Sequence, residues 1–244
     1  MSTTLEVHGL VAGYGGLPIV NGVSLTAEAG AVTVVIGPNG CGKSTTMRAL
    51  GGLLPISGGH VRLVANEIPT ELGTMSAAER LALGLSYVPQ ERTGFLDMSV
   101  HENLSLGGWL WRRDHAELAP RLARVYDALP SLGKWRNRRM GLLSGGQQKL
   151  VELGRALVST PRVILLDEPT AGVAPGAATE LLELLRGIAE RDQVAVLMVE
   201  QNLEPALEAA DHAYSLVAGR NSTEGPAGDV LDRLPEIVES WLWD

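Results

Sequence analysis

Residues 37–44 read Gly37-Pro38-Asn39-Gly40-Cys41-Gly42-Lys43-Ser44, the spacing G-x-x-x-x-G-K-S. Glycines let the backbone curl so that several N–H groups converge on phosphate oxygens. The lysine adds a cation over the β- and γ-phosphates, and the serine hydroxyl can ligate Mg²⁺. The pattern carries meaning only between a strand and a helix. Here the β-branched run Ala31–Ile36 precedes it, and Thr45–Leu50 follows as a predicted helix whose positive dipole end faces the loop. A glycine-rich turn is the alternative, and the bare pattern arises by chance in on the order of one chain in a hundred of this length. In this setting the expected chemistry is nucleotide phosphate binding.

Two further segments could act on the same phosphates. Val163-Ile164-Leu165-Leu166 is an apolar run that ends in Asp167-Glu168. Carboxylates at the carboxyl end of a buried strand are costly unless they face a site, and that edge is where α/β sheets bind ligands. Asp167 can hold the hydration shell of Mg²⁺, and Glu168 can polarise an attacking water. An acidic helix cap would be the plainer explanation of the pair. Leu143-Ser144-Gly145-Gly146-Gln147 precedes a helix predicted over about 148–158. Its glycine pair would present bare N–H groups and the helix dipole, a second anion site. One chain has little use for two γ-phosphate sites unless the second serves the nucleotide of another subunit.

These groups need a scaffold, and the hydrophobic pattern supplies one. Leu5–Tyr14 and Ile19–Thr26 alternate apolar with polar around Gly15-Gly16, as antiparallel strands do. Gly58-Gly59 is expected to break the chain before a short strand at His60–Val64. Ser76 and Glu79 stand at capping-box spacing, and Leu85–Val88 reads as a buried strand leading into Pro89-Gln90. From Gln90 the periodicity turns helical, with Leu118, Leu122, Val125 and Leu129 on one face. Val163–Leu166 and Val194–Val199 are continuous apolar runs, the mark of central strands covered on both faces. Residues 229–244 read as a final amphipathic helix. Trp109 and Trp111 are expected in the core of the helical region, and Trp241 and Trp243 under the last helix.

Composition sets the outer limits. The chain has 244 residues, a net charge of −8 and a pI near 5.2, which argues against nucleic acid as a partner. Its single cysteine, Cys41, allows no disulfide framework and fits a reducing compartment. No run is long enough to span a bilayer, no signal segment opens the chain, and the histidines lack metal-ligand spacing.

Taken in order, the phosphate loop, the Leu143–Gln147 segment and the Leu165–Pro169 strand end resemble the ATP-binding cassette (ABC) ATPases over essentially the whole chain. The resemblance implies an α/β fold: a P-loop NTPase (RecA-like) core at about 1–90 and 160–244, with an antiparallel β subdomain and a helical subdomain inserted at about 91–159. It implies ATP and Mg²⁺ as ligands, with Tyr14 stacking on adenine and Gly37–Thr45 holding the phosphates. Ser44, Gln90 and Asp167 would serve the metal, Glu168 and Gln201 catalysis. Leu143–Gln147 would close on a partner's ATP. Residues 91–103 would meet transmembrane permease subunits, placing the protein in the cytoplasm, peripheral on the inner face of the membrane.

Two departures narrow the resemblance. The loop Pro169–Pro175, expected to cross between subunits, carries Ala174 where the family usually has aspartate. Gln201 stands where a histidine usually contacts the γ-phosphate. An amide donates a hydrogen bond but cannot carry an imidazolium charge. Val199-Glu200-Gln201-Asn202 and the Gly172–Pro175 loop are similar to one ATPase of the branched-chain amino acid and urea importers, in which two different ATPase chains pair. Gln90 is less typical of the amino acid branch, where glutamate is common. An ATPase of an exporter or lipid extractor, or one in iron–sulfur assembly, would use the same cassette.

Overall fold

The computed structural model describes residues 3–241. Strands β1 (Thr3–Tyr14) and β2 (Leu17–Glu28) form a hairpin, followed by β3 (Val32–Ile36) and helix α1 (Lys43–Leu50). Then come β4 (Ile56–Ala65), β5 (Ile68–Glu71), α2 (Ala77–Ala82) and β6 (Leu85–Val88). A helical stretch follows: α3 (Val100–Gly107), α4 (His115–Ala128), α5 (Pro130–Lys134) and α6 (Gly145–Val158). The chain returns to β7 (Val163–Asp167), α7 (Pro175–Asp192), β8 (Ala195–Val199), α8 (Leu203–Glu208), β9 (His212–Val217) and β10 (Arg220–Pro226). It ends in α9 (Ala227–Asp232) and α10 (Leu234–Ser240).

Two sheets organise these elements. β2-β1-β4-β5 is antiparallel throughout, and β10-β9-β3-β8-β7-β6 is parallel except for its edge strand β10. The period-2 pattern of the central strands divides the core in two. Ile164, Leu166, Val196 and Met198 face one layer, shared with Leu122, Val125, Leu132 and Met140 of the helical stretch. Val163, Leu165, Leu197 and Val199 face the other, which α1 and the inner face of the antiparallel sheet cover through Met47, Leu50, Leu5 and Leu63. This explains the unbroken apolar runs of β7 and β8, which are covered on both faces.

Three local expectations need correction. Gly58 and Gly59 lie within β4, not before it. The β1–β4 register slips between His8 and Val11, and a Cβ on Gly59 would lie 2.3 Å from the Gly9 carbonyl oxygen, so the glycine permits the irregular crossing. The C-terminal segment forms two short helices because Pro235, in the first turn of α10, cannot continue α9. Trp109 is 56% exposed with the Arg112 guanidinium over its ring, and Trp111 lies half-buried beneath that of Arg121, so neither is a core tryptophan. Trp241 packs against the core, while Trp243 lies outside the described residues.

The phosphate-loop helix is held from behind by a residue with no motif around it. Arg80, in α2, is 1% exposed. Its Nη1 donates to the carbonyls of Ala49 and Leu50, both at 2.6 Å, and its Nε to that of Met75 at 3.1 Å. It thereby caps the Leu50 carbonyl at the end of α1 and adds a second donor to the Ala49 carbonyl, which also accepts from the Gly52 amide at 3.1 Å. Arg80→Ala would strand buried acceptors and leave a void. We expect a loss of about 3 kcal/mol in urea unfolding, with Arg80→Lys recovering less than half because an ammonium lacks the guanidinium fork.

Candidate functional site

The end of β3 and the start of α1 shape the loop between them. Gly37 sits where a Cβ would lie 2.2 Å from the Leu216 carbonyl oxygen, and Gly42 adopts φ +105 as the N-cap of α1. No residue with a side chain fits the first position, and the second favours glycine. Lys43 is buried and folds back over the loop, its Nζ donating to the carbonyls of Gly37 at 2.6 Å and Pro38 at 3.1 Å. Cys41 is buried beside it. Burial pushes its thiol up, opposed by the Lys43 charge, so this cysteine is a small filler without thiolate character.

The carboxyl end of the parallel sheet brings the acidic pair to this loop. Ser44 Oγ donates to Asp167 Oδ1 at 3.0 Å, and the Tyr87 hydroxyl donates to Asp167 Oδ2 at 3.2 Å. Burial raises the Asp167 pKa above the usual carboxylate value, against the pull of those two hydrogen bonds. Glu168 follows at φ +49, a left-handed conformation that costs a non-glycine residue roughly 1 kcal/mol. The turn aims its side chain into the site, where Gln90 Nε2 donates to one carboxylate oxygen and Gln201 Nε2 to the other. Phosphate loop, acidic pair, Gln90 and Gln201 therefore converge.

Tyr14 and the glycine-pair segment stand apart. Tyr14 ends β1, 45% exposed, and its hydroxyl accepts from Arg48 Nη1 at 3.3 Å. At Ser144, the N-cap of α6, the side chain accepts from the Gln147 amide, and the Gln147 side chain accepts from the Ser144 amide. The helix thus starts three residues earlier than expected, placing Gly145 and Gly146 in its first turn. The N–H groups of that turn other than Gln147's carry no cap from Ser144. Leu143 is buried, and its carbonyl accepts from Gln148 Nε2 at 3.0 Å. This segment lines a cavity of about 740 Å³ with Gly172, Val173 and Ala174, and no phosphate-loop residue borders it.

Motif reading missed several residues of the site. Tyr87 was signalled only as a polar aromatic inside a buried strand. Glu200 repeats the pattern that singled out Asp167: an acid ending an apolar strand. It is 1% exposed and accepts from the amides of Thr170 at 2.8 Å and Gln201 at 3.2 Å, tying the two loops together. Burial pushes its carboxyl up. Arg48 had no signal; it joins Tyr14 to Glu91, 2.7 Å from its Nη2.

Comparison with known proteins places this geometry. The ABC transporter family model matches residues 20–171. The chain is 35% identical to a probable branched-chain amino acid transport ATP-binding protein, LivF, of Archaeoglobus fulgidus, over 91% of this chain and 92% of that one. It is 34% identical to the high-affinity branched-chain amino acid transport ATP-binding protein BraG of Pseudomonas aeruginosa, covering 94% and 95%. Among solved structures, the ADP conformation of MJ1267, an ATP-binding cassette of an ABC transporter, superposes with a TM-score of 0.86 at 30% identity, covering 99% of each chain. A fold that gathers strand-end acids around a phosphate loop, matched at this identity over nearly its full length, shows that the chain belongs to the ABC transporter ATPases and is the ATP-hydrolysing subunit of such a transporter.

Proposed function

We propose that this subunit powers the uptake of a branched-chain amino acid or a similar small solute, bound to transmembrane permease subunits on the cytoplasmic face of the membrane and paired with a second, non-identical ATPase subunit. The observation that carries the ATPase chemistry is the convergence of Lys43, Ser44, Asp167, Glu168, Gln90 and Gln201 at one sheet edge. The solute class rests on the relatives named above, LivF and BraG. No helix among the described residues is long and apolar enough to cross a membrane, so work on a membrane partner would pass through surface contact.

In this reading the loop amides and Lys43 bind the phosphates, the lysine exchanging its two carbonyl partners for phosphate oxygens. The donor set at Ser44, Asp167 and the Gln90 amide oxygen consists of hard oxygens around a single carboxylate. It fits Mg²⁺, which keeps waters and takes phosphate oxygens for the remainder. Those three residues would hold the ion, which supplies charge neutralisation for the phosphates. Glu168, freed at one oxygen as an amide turns to the γ-phosphate, accepts a proton from the attacking water. The water oxygen bonds to phosphorus as the β–γ bridge breaks, leaving ADP and phosphate. Ser144, Gly145 and Gly146 stand outside this site, as a segment that serves a partner's nucleotide must.

Pairing with a different chain is supported by the two departures. Ala174 is the N-cap of α7 and makes no side-chain cap, so the crossing loop offers no carboxylate. Gln201 brings a neutral donor, which binds an anionic phosphate less strongly than an imidazolium whose own charge adds to the attraction. A non-identical partner could bring a histidine to its own site and an aspartate across to this one.

Three outcomes are expected. Lys43→Ala removes the loop's side-chain cation and should weaken ATP binding by about a hundredfold or more and abolish phosphate release; parent-rate hydrolysis would refute the assignment. Glu168→Gln should still bind ATP while single-turnover hydrolysis falls by roughly 10²–10⁴, the usual contribution of a general base. In sedimentation with ATP and Mg²⁺, Glu168→Gln alone should remain largely monomeric. A tight ATP-dependent homodimer, together with sustained turnover of the wild-type chain alone, would make it self-sufficient and remove the case for a different partner.

A further inference from the structure

Beyond its glycine pair, α6 turns a row of charges toward a segment with no regular structure of its own. Lys149, Glu152 and Arg155 stand at i, i+3 and i+6, on one side of the helix. Lys149 Nζ donates to the Gln90 carbonyl at 3.0 Å. Glu152 Oε1 accepts from the amides of Thr93 at 2.7 Å and Gly94 at 3.2 Å. Arg155 donates to the Thr93 carbonyl at 2.8 Å and to the Thr93 hydroxyl. Three side chains thus take up five polar groups of residues 90–94.

The burial of this row shows that it is not a solvated face. Glu152 is 2% exposed; its second oxygen, Oε2, makes no hydrogen bond and lies 3.6 Å from Lys149 Nζ. A buried carboxylate is kept only where donors and a cation offset its lost hydration, and here both come from the contact with the 90–94 segment and its flanking lysine. Burial also lowers the Arg155 pKa, opposed by the Glu152 charge. The segment is pinned further on: Asn103 of α3 accepts from the Phe95 amide and donates to the carbonyls of Phe95 and Ser99. Helices α3 and α6 themselves touch closely, since a Cβ on Gly107 would lie 1.9 Å from the Arg155 carbonyl oxygen. Segment and helices are one packed body.

Gln90 is therefore held at both ends. Its side chain reaches Glu168 in the sheet core, and its carbonyl is fixed to α6 by Lys149. The same helix begins at Gly145 and Gly146. We propose that Lys149, Glu152 and Arg155 are positioning residues that lock residues 90–94 to α6, so that displacement of Gln90 by an arriving γ-phosphate moves Gly145 and Gly146 as part of the same rigid body. This rests on the ATPase reading above and adds to it which side chains carry the movement. A ligand can shift such an arrangement only through a contact that differs between its states. In the reading above an amide on Glu168 turns to the γ-phosphate, which ADP lacks; Gln90 is one of the two such amides, and the charged row ties it to the helix.

The test is hydrogen exchange across residues 145–158 in the full chain, with Mg·ADP and with a Mg-loaded non-hydrolysable ATP analogue, alongside the affinity for each. Wild type should show different exchange in the two states. Glu152→Ala and Lys149→Met should keep ADP affinity within about twofold while that difference shrinks at least fivefold. Glu152→Gln, which retains an acceptor for the two amides, should preserve most of it. An unchanged difference in Glu152→Ala, or no difference in wild type that binds both nucleotides, would overturn the lock. So would a matching loss of ADP affinity in the variants, which would assign the row to holding the fold. Wild type that bound neither nucleotide would instead fail the ATPase reading, and the lock with it.

Discussion

Two adjacent carboxylates at the end of a strand covered on both faces set the terms for the rest of the site. Asp167 and Glu168 are 1% and 6% exposed, and their hydrogen-bond partners are neutral: Ser44, Tyr87, Gln90 and Gln201. Unpaired buried charges of this kind cost several kcal/mol each, and neutral donors recover part of that. The incoming substrate is itself polyanionic, so ATP binding adds repulsion to an already unfavourable pair. Lys43 and the start of α1 offset some of it. The remainder is charge that the proposed Mg²⁺, held by Ser44, Gln90 and Asp167, would help to neutralise. In the proposed function, bound Mg²⁺ would add positive charge beside the acid pair to that of Lys43.

The same constraint explains how two distant motifs come to share one helix. The core presents its acids at the sheet edge, and Gln90, at the exit of β6, is the point where the helical stretch touches them. Helix α6 then runs from Gly145 and Gly146 down into the apolar layer beside β6 and β7, with Val151, Leu153 and Val158 buried. A helix that must bury one stripe, grip the 90–94 segment with another and leave its first turn open has few positions to vary. The glycines at its start follow from the last requirement, and the charged row from the second. Coupling in this protein is consequently a matter of packing between rigid pieces.

Much of this was legible because the motifs carry their own physical reasons. The glycine loop needs a strand before it and a helix after it, and both are written as apolar runs around Gly37–Ser44. The continuous apolar stretches of β7 and β8 give away a sheet covered on both sides. What escaped notice were residues whose importance depends on long-range contact. Arg80, Tyr87, Glu152 and Arg155 look like ordinary members of their local patterns. Each acquires its role from a backbone carbonyl, amide or carboxylate dozens of residues away in the chain. The tryptophans failed for a related reason. Aromatic burial is a tendency of the residue type, yet an arginine stacked on the ring covers Trp109 and Trp111 without bringing them into the core. The single C-terminal helix failed at Pro235, a stop signal that the amphipathic pattern overrode.

Gln201 shows how one departure from a family pattern can alter the physics of the site while leaving its geometry intact. Its side chain reaches Glu168, and its position is fixed by Glu200, which also holds the loop that follows Glu168. The scaffold for a charged residue is thus present, but the group it holds is neutral. An imidazolium on Glu168 would make a charge-assisted pair, strong enough to keep the carboxylate engaged until something comparably charged displaced it. A neutral amide on the same carboxylate makes a weaker bond, with a charge on the acceptor alone, and Gln90 makes a second of the same kind. Neither can change its charge between pH 5 and 8, as histidine does. The resting contacts on Glu168 are therefore weaker than an ion pair and insensitive to protonation of their donors. In the proposed pairing, control of the carboxylate would pass to the γ-phosphate and to groups that the partner subunit brings across the interface.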